Sequence, residues 1–339
     1  MRCVNLLALS AIAASVVTLA GQPAATLTTE QLLTDRLAMP AASVARMQAG
    51  EAVVRKLEPN APNEVGAVGV IRAKGDMRRL VAWFRDIEAF MRAAGTENVG
   101  VIHSPATPED FARLNLADAD FSDLQTCRPG KCDVRMPASY LSRFQTEVTW
   151  TAPDAGAQAA RLARQMLVEY VGAYQQGGAA ALGAHHNQKD PTAIANGFQD
   201  LLRRATKVWD LAYPFANYLE AFPKGRPEGA EDHFYWTRDK LLMSQMLTLH
   251  HVVLQEVAGG RVFFADKQFY ASRQFDEALM VGLLIPTADA KGFDLIVAVR
   301  ARVEAAGGIT GRVLRGRIEK EMVSGITTYL EWIRASSAL

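Results

Sequence analysis

RVFFADKQFYA (Arg261–Ala271), FDEALMVGLLI (Phe275–Ile285) and FDLIVAVRAR (Phe293–Arg302) are three runs rich in aromatic and branched residues. Each shows the alternation expected of a strand with one buried face. An earlier run, Phe234–Val257, alternates at least over its later half. The connections are Gly259-Gly260, Ser272–Gln274 and Pro286–Gly292. Connections this short join antiparallel neighbours, because a parallel crossover needs a dozen residues or more. The chain after Pro223 is therefore expected to fold as an antiparallel meander. A long helix should follow from about Gly308 to Ala335, with Ile309, Val313, Ile318, Met322, Ile326, Tyr329 and Ile333 as its apolar row.

Working back toward the N-terminus, Val65–Ile71 and Val99–Ile102 read as strands. Between them Asp76 can cap a helix through Phe90, with Leu80, Phe84, Ile87 and Met91 on one face. From Ala138 to about Tyr218 the periodicity is helical, with Tyr140, Phe144 and Val148 on one face. Leu162, Met166, Tyr170 and Tyr174 follow at spacing four. No strand pattern shows in that block. His185-His186 lies in a Gly- and Asn-flanked loop and reads as solvated.

The first twenty residues carry the grammar of a secretory signal: Arg2, an apolar run from Val4 to Ala20, and small residues before Gly21. Cleavage there predicts a periplasmic or secreted protein, since no later stretch is apolar and long enough to span a bilayer. Cys127-Arg128-Pro129-Gly130-Lys131-Cys132 agrees with export. Pro-Gly favours a tight turn that brings the two thiols together, and an oxidising compartment would join them. A structural disulfide is expected rather than a redox pair or half a metal site. The acidic stretch Asp118, Asp120, Asp123 lacks the spacing of an EF-hand, so no metal is expected there.

Composition excludes several classes. Hydrophobic residues make up 49% and charged residues 22%, the balance of a folded domain. Lys plus Arg number 37 against 36 Asp plus Glu, a net charge of +1 that offers nucleic acid no basic field. No zinc-protease, phosphate-loop, nucleophile-elbow or dinucleotide fingerprint is present, and no cofactor is expected.

Charged residues on the apolar faces of the meander are the candidate site. Lys267 shares a face with Phe263, Ala265 and Phe269; Glu277 with Leu279, Val281 and Leu283; Arg300 with Ile296 and Ala298. A charge on such a face must be paired or reach solvent. Otherwise it can fix the polar head of a ligand in an apolar cavity. Gln268, Tyr270 and Asp276 alternate with these residues. In His250-His251 neighbouring strand residues point to opposite faces, so one of them, His251 in the candidate set, turns inward. The start of the last helix carries Arg312, Arg315, Arg317 and Lys320, diluted by Glu319 and Glu321. A solvated face with at most transient membrane-surface contact is expected there.

The order of elements, together with Lys267–Ser272, Phe275-Asp276 and Gly307-Gly308, resembles the START-like (helix-grip, SRPBCC) superfamily. It also resembles a family of exported bacterial proteins that carry a Cys-x-Pro-Gly-x-Cys stretch. The resemblance implies an α+β fold, a helix-grip-like antiparallel sheet around a long C-terminal helix. Residues 1–20 would be the signal peptide and 21–50 an N-terminal helical segment. Residues 51–137 would begin the START-like domain, 138–222 would be a large all-helical insertion, and 223–339 would complete the domain. The function implied is carriage of a hydrophobic or amphipathic small molecule between the sheet and the C-terminal helix. Two alternatives stand beside it: a cyclase- or hydrolase-like enzyme using His251 or Lys267/Glu277 as acid and base, and an envelope protein that docks through the helical block.

Overall fold

The computed structural model describes residues 27–59, 61–116, 123–209, 213–241, 244–303 and 308–337. The expected signal segment and Asp118 and Asp120 lie outside them. The fold is α+β. Its centre is an antiparallel sheet of eight strands: β1 (Val53–Lys56), β2 (Glu64–Lys74), β3 (Val99–Ile102), β6 (Ala230–Leu241), β7 (Ser244–Val257), β8 (Arg261–Ala271), β9 (Phe275–Pro286) and β10 (Gly292–Val303). The spatial order is β1-β2-β10-β9-β8-β7-β6-β3, so the expected meander from β6 to β10 is the body of the sheet. The helices are α1 (Thr29–Gln31), α2 (Ala41–Gln48), α3 (Met77–Arg85), α4 (Ile87–Ala93), α5 (Ala138–Glu147), α6 (Ala155–Gly177), α7 (Ile194–Trp209), α8 (Tyr213–Ala221) and α9 (Gly308–Ser337).

Alternation gives the sheet two apolar faces, and helices cover both. On the first, Ala67, Ile71, Phe264, Leu284, Leu295 and Val297 pack beneath α3, α4 and α9. The terminal helix lies directly on the sheet here. A Cβ at Gly69 would fall 2.5 Å from Ile326 Cγ2 and 2.9 Å from Leu330 Cδ1. On the second face, Val70, Val253, Phe263, Phe269, Val281 and Leu283 pack against Tyr170 and Tyr174 of α6, Phe198 of α7, and Phe215 and Leu219 of α8. A smaller core joins the cysteine loop to α5 and α6 through Leu124, Cys127, Met136, Phe144, Leu162 and Met166.

Three local expectations change. The helix from Asp76 is two helices. Asp76 accepts from Arg78 N at 2.8 Å, the backbone turns at Asp86 (φ −91°, ψ 70°), and Asp86 caps α4 through Ala89 N. The helical block also holds a small antiparallel pair, β4 (Ala184–His185) with β5 (Thr192–Ala193). Finally, His185 is fully buried rather than solvated, because β4 tucks its ring against Tyr170.

Candidate functional site

The expected site residues do not gather between the sheet and α9. His251, Lys267, Tyr270 and Glu277 lie on the second face, beneath α6–α8, where a guest lodged against α9 would not meet them. Gln268 stands opposite His250 on the α9 side, and its buried Nε2 has no hydrogen-bond partner among the described residues. Arg300 is three strands away from β7, in β10, where it pairs with the buried carboxylate of Glu64.

Lys267 is fully buried. Its Nζ donates to Leu219 O in the last turn of α8 at 2.9 Å and sits 4.8 Å from the Phe198 ring centroid and 5.5 Å from that of Tyr174. Burial alone draws its pKa down to about 7. No ion pair joins it to Glu277. The Glu277 carboxyl is 0% exposed, and neither oxygen has a hydrogen-bond partner among the described residues. Burial, helped by Asp276, pushes its pKa up to about 8 despite Arg302 and Arg135. Burial thus moves both groups toward their neutral forms.

His251 faces Lys267 across the strands. Its Nε2 lies 2.9 Å from Asp232 Oδ1 and its Nδ1 3.0 Å from the Tyr174 hydroxyl. Tyr218 donates to the same carboxylate, and Arg226 reaches it at 3.4 Å. Burial lowers the His251 pKa to about 4 although Asp232 pulls it upward. A neutral ring donates from Nε2 to Asp232 and accepts at Nδ1 from Tyr174. Every polar atom of the ring is then satisfied, and Phe222 and Phe234 close over it at 4.3 and 4.5 Å. This arrangement specifies the core and leaves no reacting position open.

The first face carries a hydroxyl–imidazole–carboxylate row. Thr248 Oγ1 is 2.8 Å from His250 Nε2, and His250 Nδ1 is 2.8 Å from Asp266 Oδ1. The geometry is that of a nucleophile and its base. Thr248 is only 2% exposed, however, and its hydroxyl is shared with Thr237 at 2.7 Å. A substrate has no approach to it.

A β-bulge connects the buried face to an apolar cavity beside α5 and α6. Leu249 pairs with Tyr270 and His250 with Gln268, so Phe269 is the extra residue. The bulge lets both Phe269 and Tyr270 reach the second face, where they meet Tyr170 at 6.4 and 5.4 Å. Tyr170 and Tyr270 also line a cavity of about 100 Å³ between α5, α6, the cysteine loop and the ends of β6–β8. Its walls are apolar: Leu124 and Val134 from the loop, Phe144 from α5, Ala163 and Met166 from α6, and Leu247 from β7. The polar residues around it are Tyr140, Arg238, Gln245, Ser272 and Arg273.

Behind the cavity a buried polar chain holds the wall in place. Asp276 pairs with Arg135 at 2.6 Å, Arg135 reaches His185 Nδ1 at 3.4 Å, and His185 Nε2 meets the Tyr170 hydroxyl at 3.1 Å. Burial, with Arg135 and His186 adding to it, lowers the His185 pKa to about 3, so the ring is neutral. The Cys127–Cys132 disulfide is formed. Gly130 N and Cys132 N donate to His186 O and Asn187 O, which fastens the loop beside β4.

Of the expected residues, Tyr270 alone lines this cavity, and Asp276 supports it from behind. Arg135, His185, Arg238 and Arg273 were not in the candidate set. Tyr170 was visible in the sequence only as one step of a helical apolar row. Among the described residues no group of three or more His, Cys, Asp or Glu could hold a metal ion, and no helix is long and apolar enough to cross a membrane. No protein-family model matches the chain, and comparison with curated proteins finds no match.

Proposed function

We propose that this chain is a binding protein for a small hydrophobic or amphipathic molecule, acting as a carrier or sensor in an exported compartment. The observation that carries the reading is the apolar cavity roofed by α5 and α6 and walled by the disulfide loop. A pocket with apolar walls and a few polar groups holds a small apolar or amphipathic guest and fixes its orientation. The START-like resemblance implied a guest between the sheet and the terminal helix, so it lends this position no support. The guest is placed beneath the helical block rather than against α9, since Ile326 and Leu330 press on the sheet there. Docking to an envelope partner through that block draws no support from the surface: the exposed large hydrophobics among the described residues are Val101 and Val313, both outside 138–222.

The test uses the full chain and 1-pentanol, a neutral probe of suitable size. Binding followed by NMR should perturb Phe144, Met166 and Tyr270. Ala163→Phe, which fills the cavity from α6, should abolish the response while thermal unfolding stays cooperative. A folded Ala163→Phe variant that binds pentanol as the parent does, or a parent that does not bind it, removes the reading.

A further inference from the structure

We infer that the guest of the α5–α6 cavity is a neutral molecule with an oxygen that accepts a hydrogen bond (a ketone, ester or alcohol), and that Tyr270 is the residue that selects it. The inference rests on the reading that the cavity takes a guest. It adds the guest's chemical class and the hydroxyl that recognises it.

Neutrality follows from the charges around the cavity, which are already matched. Arg273, in the wall, lies 3.7 Å from Asp123 and 3.8 Å from Asp133 of the cysteine loop. Arg135, behind the wall, pairs with Asp276 at 2.6 Å. Arg238 has a partner as well. An ion entering between apolar walls would give up its water and find no unmatched counter-charge among these groups, a cost that a neutral guest escapes.

The cavity does hold a hydroxyl in reserve. Tyr270 is 8% exposed, and its hydroxyl hydrogen-bonds to no described residue. Yet the oxygen is not among the buried polar atoms shut away without a partner, so it opens into the cavity that Tyr270 lines. The Phe269 bulge brings the ring to this face, and Tyr170 at 5.4 Å and His185 at 5.7 Å meet it edge to face. Burial pushes the Tyr270 pKa up despite Arg135 and Arg273, so the phenol keeps its proton and donates it. Ser272 lines the same cavity two residues on. Its oxygen already accepts from Leu247 N at 3.0 Å, which leaves its hydrogen to donate too. Donors in an apolar space call for an accepting oxygen. The body behind that oxygen is short, since about 100 Å³ is less than the roughly 150 Å³ that holds benzene.

The experiment compares 2-pentanone, pentane, pentanoate and pentylamine near neutral pH, on the full chain and on Tyr270→Phe, which removes only the hydroxyl. On the parent, 2-pentanone should bind at least about tenfold tighter than pentanoate or pentylamine. On Tyr270→Phe it should bind roughly three- to tenfold more weakly, the worth of one neutral hydrogen bond, while pentane binds as it does to the parent. If none of the four binds, the cavity reading itself fails. If 2-pentanone binds and loses nothing in Tyr270→Phe, the cavity reading stands and the inference is overturned. Pentanoate or pentylamine binding as tightly as 2-pentanone also overturns it, and that comparison needs the parent alone.

Discussion

Gly197 of α7 rests on Glu277 of β9: a Cβ at position 197 would lie 2.0 Å from Glu277 Oε1. The helix backbone thus covers a fully buried carboxyl that no hydrogen bond compensates among the described residues. A helix placed any farther away would open a void over the sheet, and a bulkier residue could not approach as closely.

Gly197→Ala should therefore destabilise the protein. In an ordinary helix the change gains about 1 kcal/mol; here the added methyl meets the carboxyl, so the sign reverses. In a Glu277→Ala background the same substitution should recover most of that helix gain. Urea unfolding of the four proteins should give a coupling above about 1 kcal/mol. Strict additivity would show that the two residues do not meet.

Glu277→Gln should stabilise the protein, and more so as pH rises. The folded carboxyl has its pKa near 8 against an ordinary value of 4.5. Between these values the unfolded chain ionises while the folded chain does not, so Glu277 costs stability progressively from about pH 4.5 to pH 8. The uncharged amide removes that dependence. Unfolding free energies at pH 5 and pH 8 should show the larger benefit at pH 8, on the order of a few kcal/mol. Equal benefit at both would mean the carboxyl is ionised in the fold.

How much of this was legible depends on range. The meander, the terminal helix and the cysteine clip follow from local signals: alternation in Arg261–Arg302, a seven-point apolar row after Gly308, and Pro129-Gly130 between two cysteines. Alternation also put Lys267 and Glu277 on one apolar face and His250 and His251 on opposite faces. It could not say which helices cover which face, because both faces are apolar and either could meet α9. The Phe269 bulge changes which side Tyr270 takes, and nothing in its own segment marks it. The Asp276–Arg135–His185–Tyr170 chain joins four distant segments, which no spacing rule reaches.

His251 predicts acid sensitivity of the opposite sign to Glu277. Its folded pKa is near 4 against an ordinary 6.5, so the unfolded chain binds the proton first as pH falls. Stability attributable to this ring is complete above about pH 6.5 and is lost toward pH 4. His251→Gln should be less stable near neutrality, because Asp232 and Tyr174 lose their partner. Its stability should also vary less with pH between 4 and 6.5 than the parent's. Chemical denaturation across that window checks the slope; a parallel pair of curves would count against a neutral buried ring.

The disulfide should matter more to the cavity than to the fold. Closing so short a loop is worth about 2 kcal/mol in the chain-entropy account. Leu124 and Val134, on either side of the loop it closes, stand in the cavity wall. The Cys127→Ser, Cys132→Ser double variant should keep cooperative unfolding but bind pentanol several-fold more weakly. Loss of stability with unchanged binding would show that the wall holds without the clip.

The contact of α9 with the sheet gives the sharpest test of where free space lies. Gly69 sits in the middle of β2, and its missing side chain admits Ile326 and Leu330. If a guest occupied that interface, a methyl at position 69 would project into its space and cost the fold little. With the helix seated directly, Gly69→Ala forces Ile326 Cγ2 away from a 2.5 Å approach, and overpacking of this kind costs about 1–3 kcal/mol. Ile326→Ala removes the obstructing methyl and should recover part of the loss in the double variant, although it leaves a small cavity of its own. Pentanol binding should be unchanged in Gly69→Ala, because the α5–α6 cavity lies on the other side of the sheet. A neutral Gly69→Ala that abolished pentanol binding would place the guest against α9 after all.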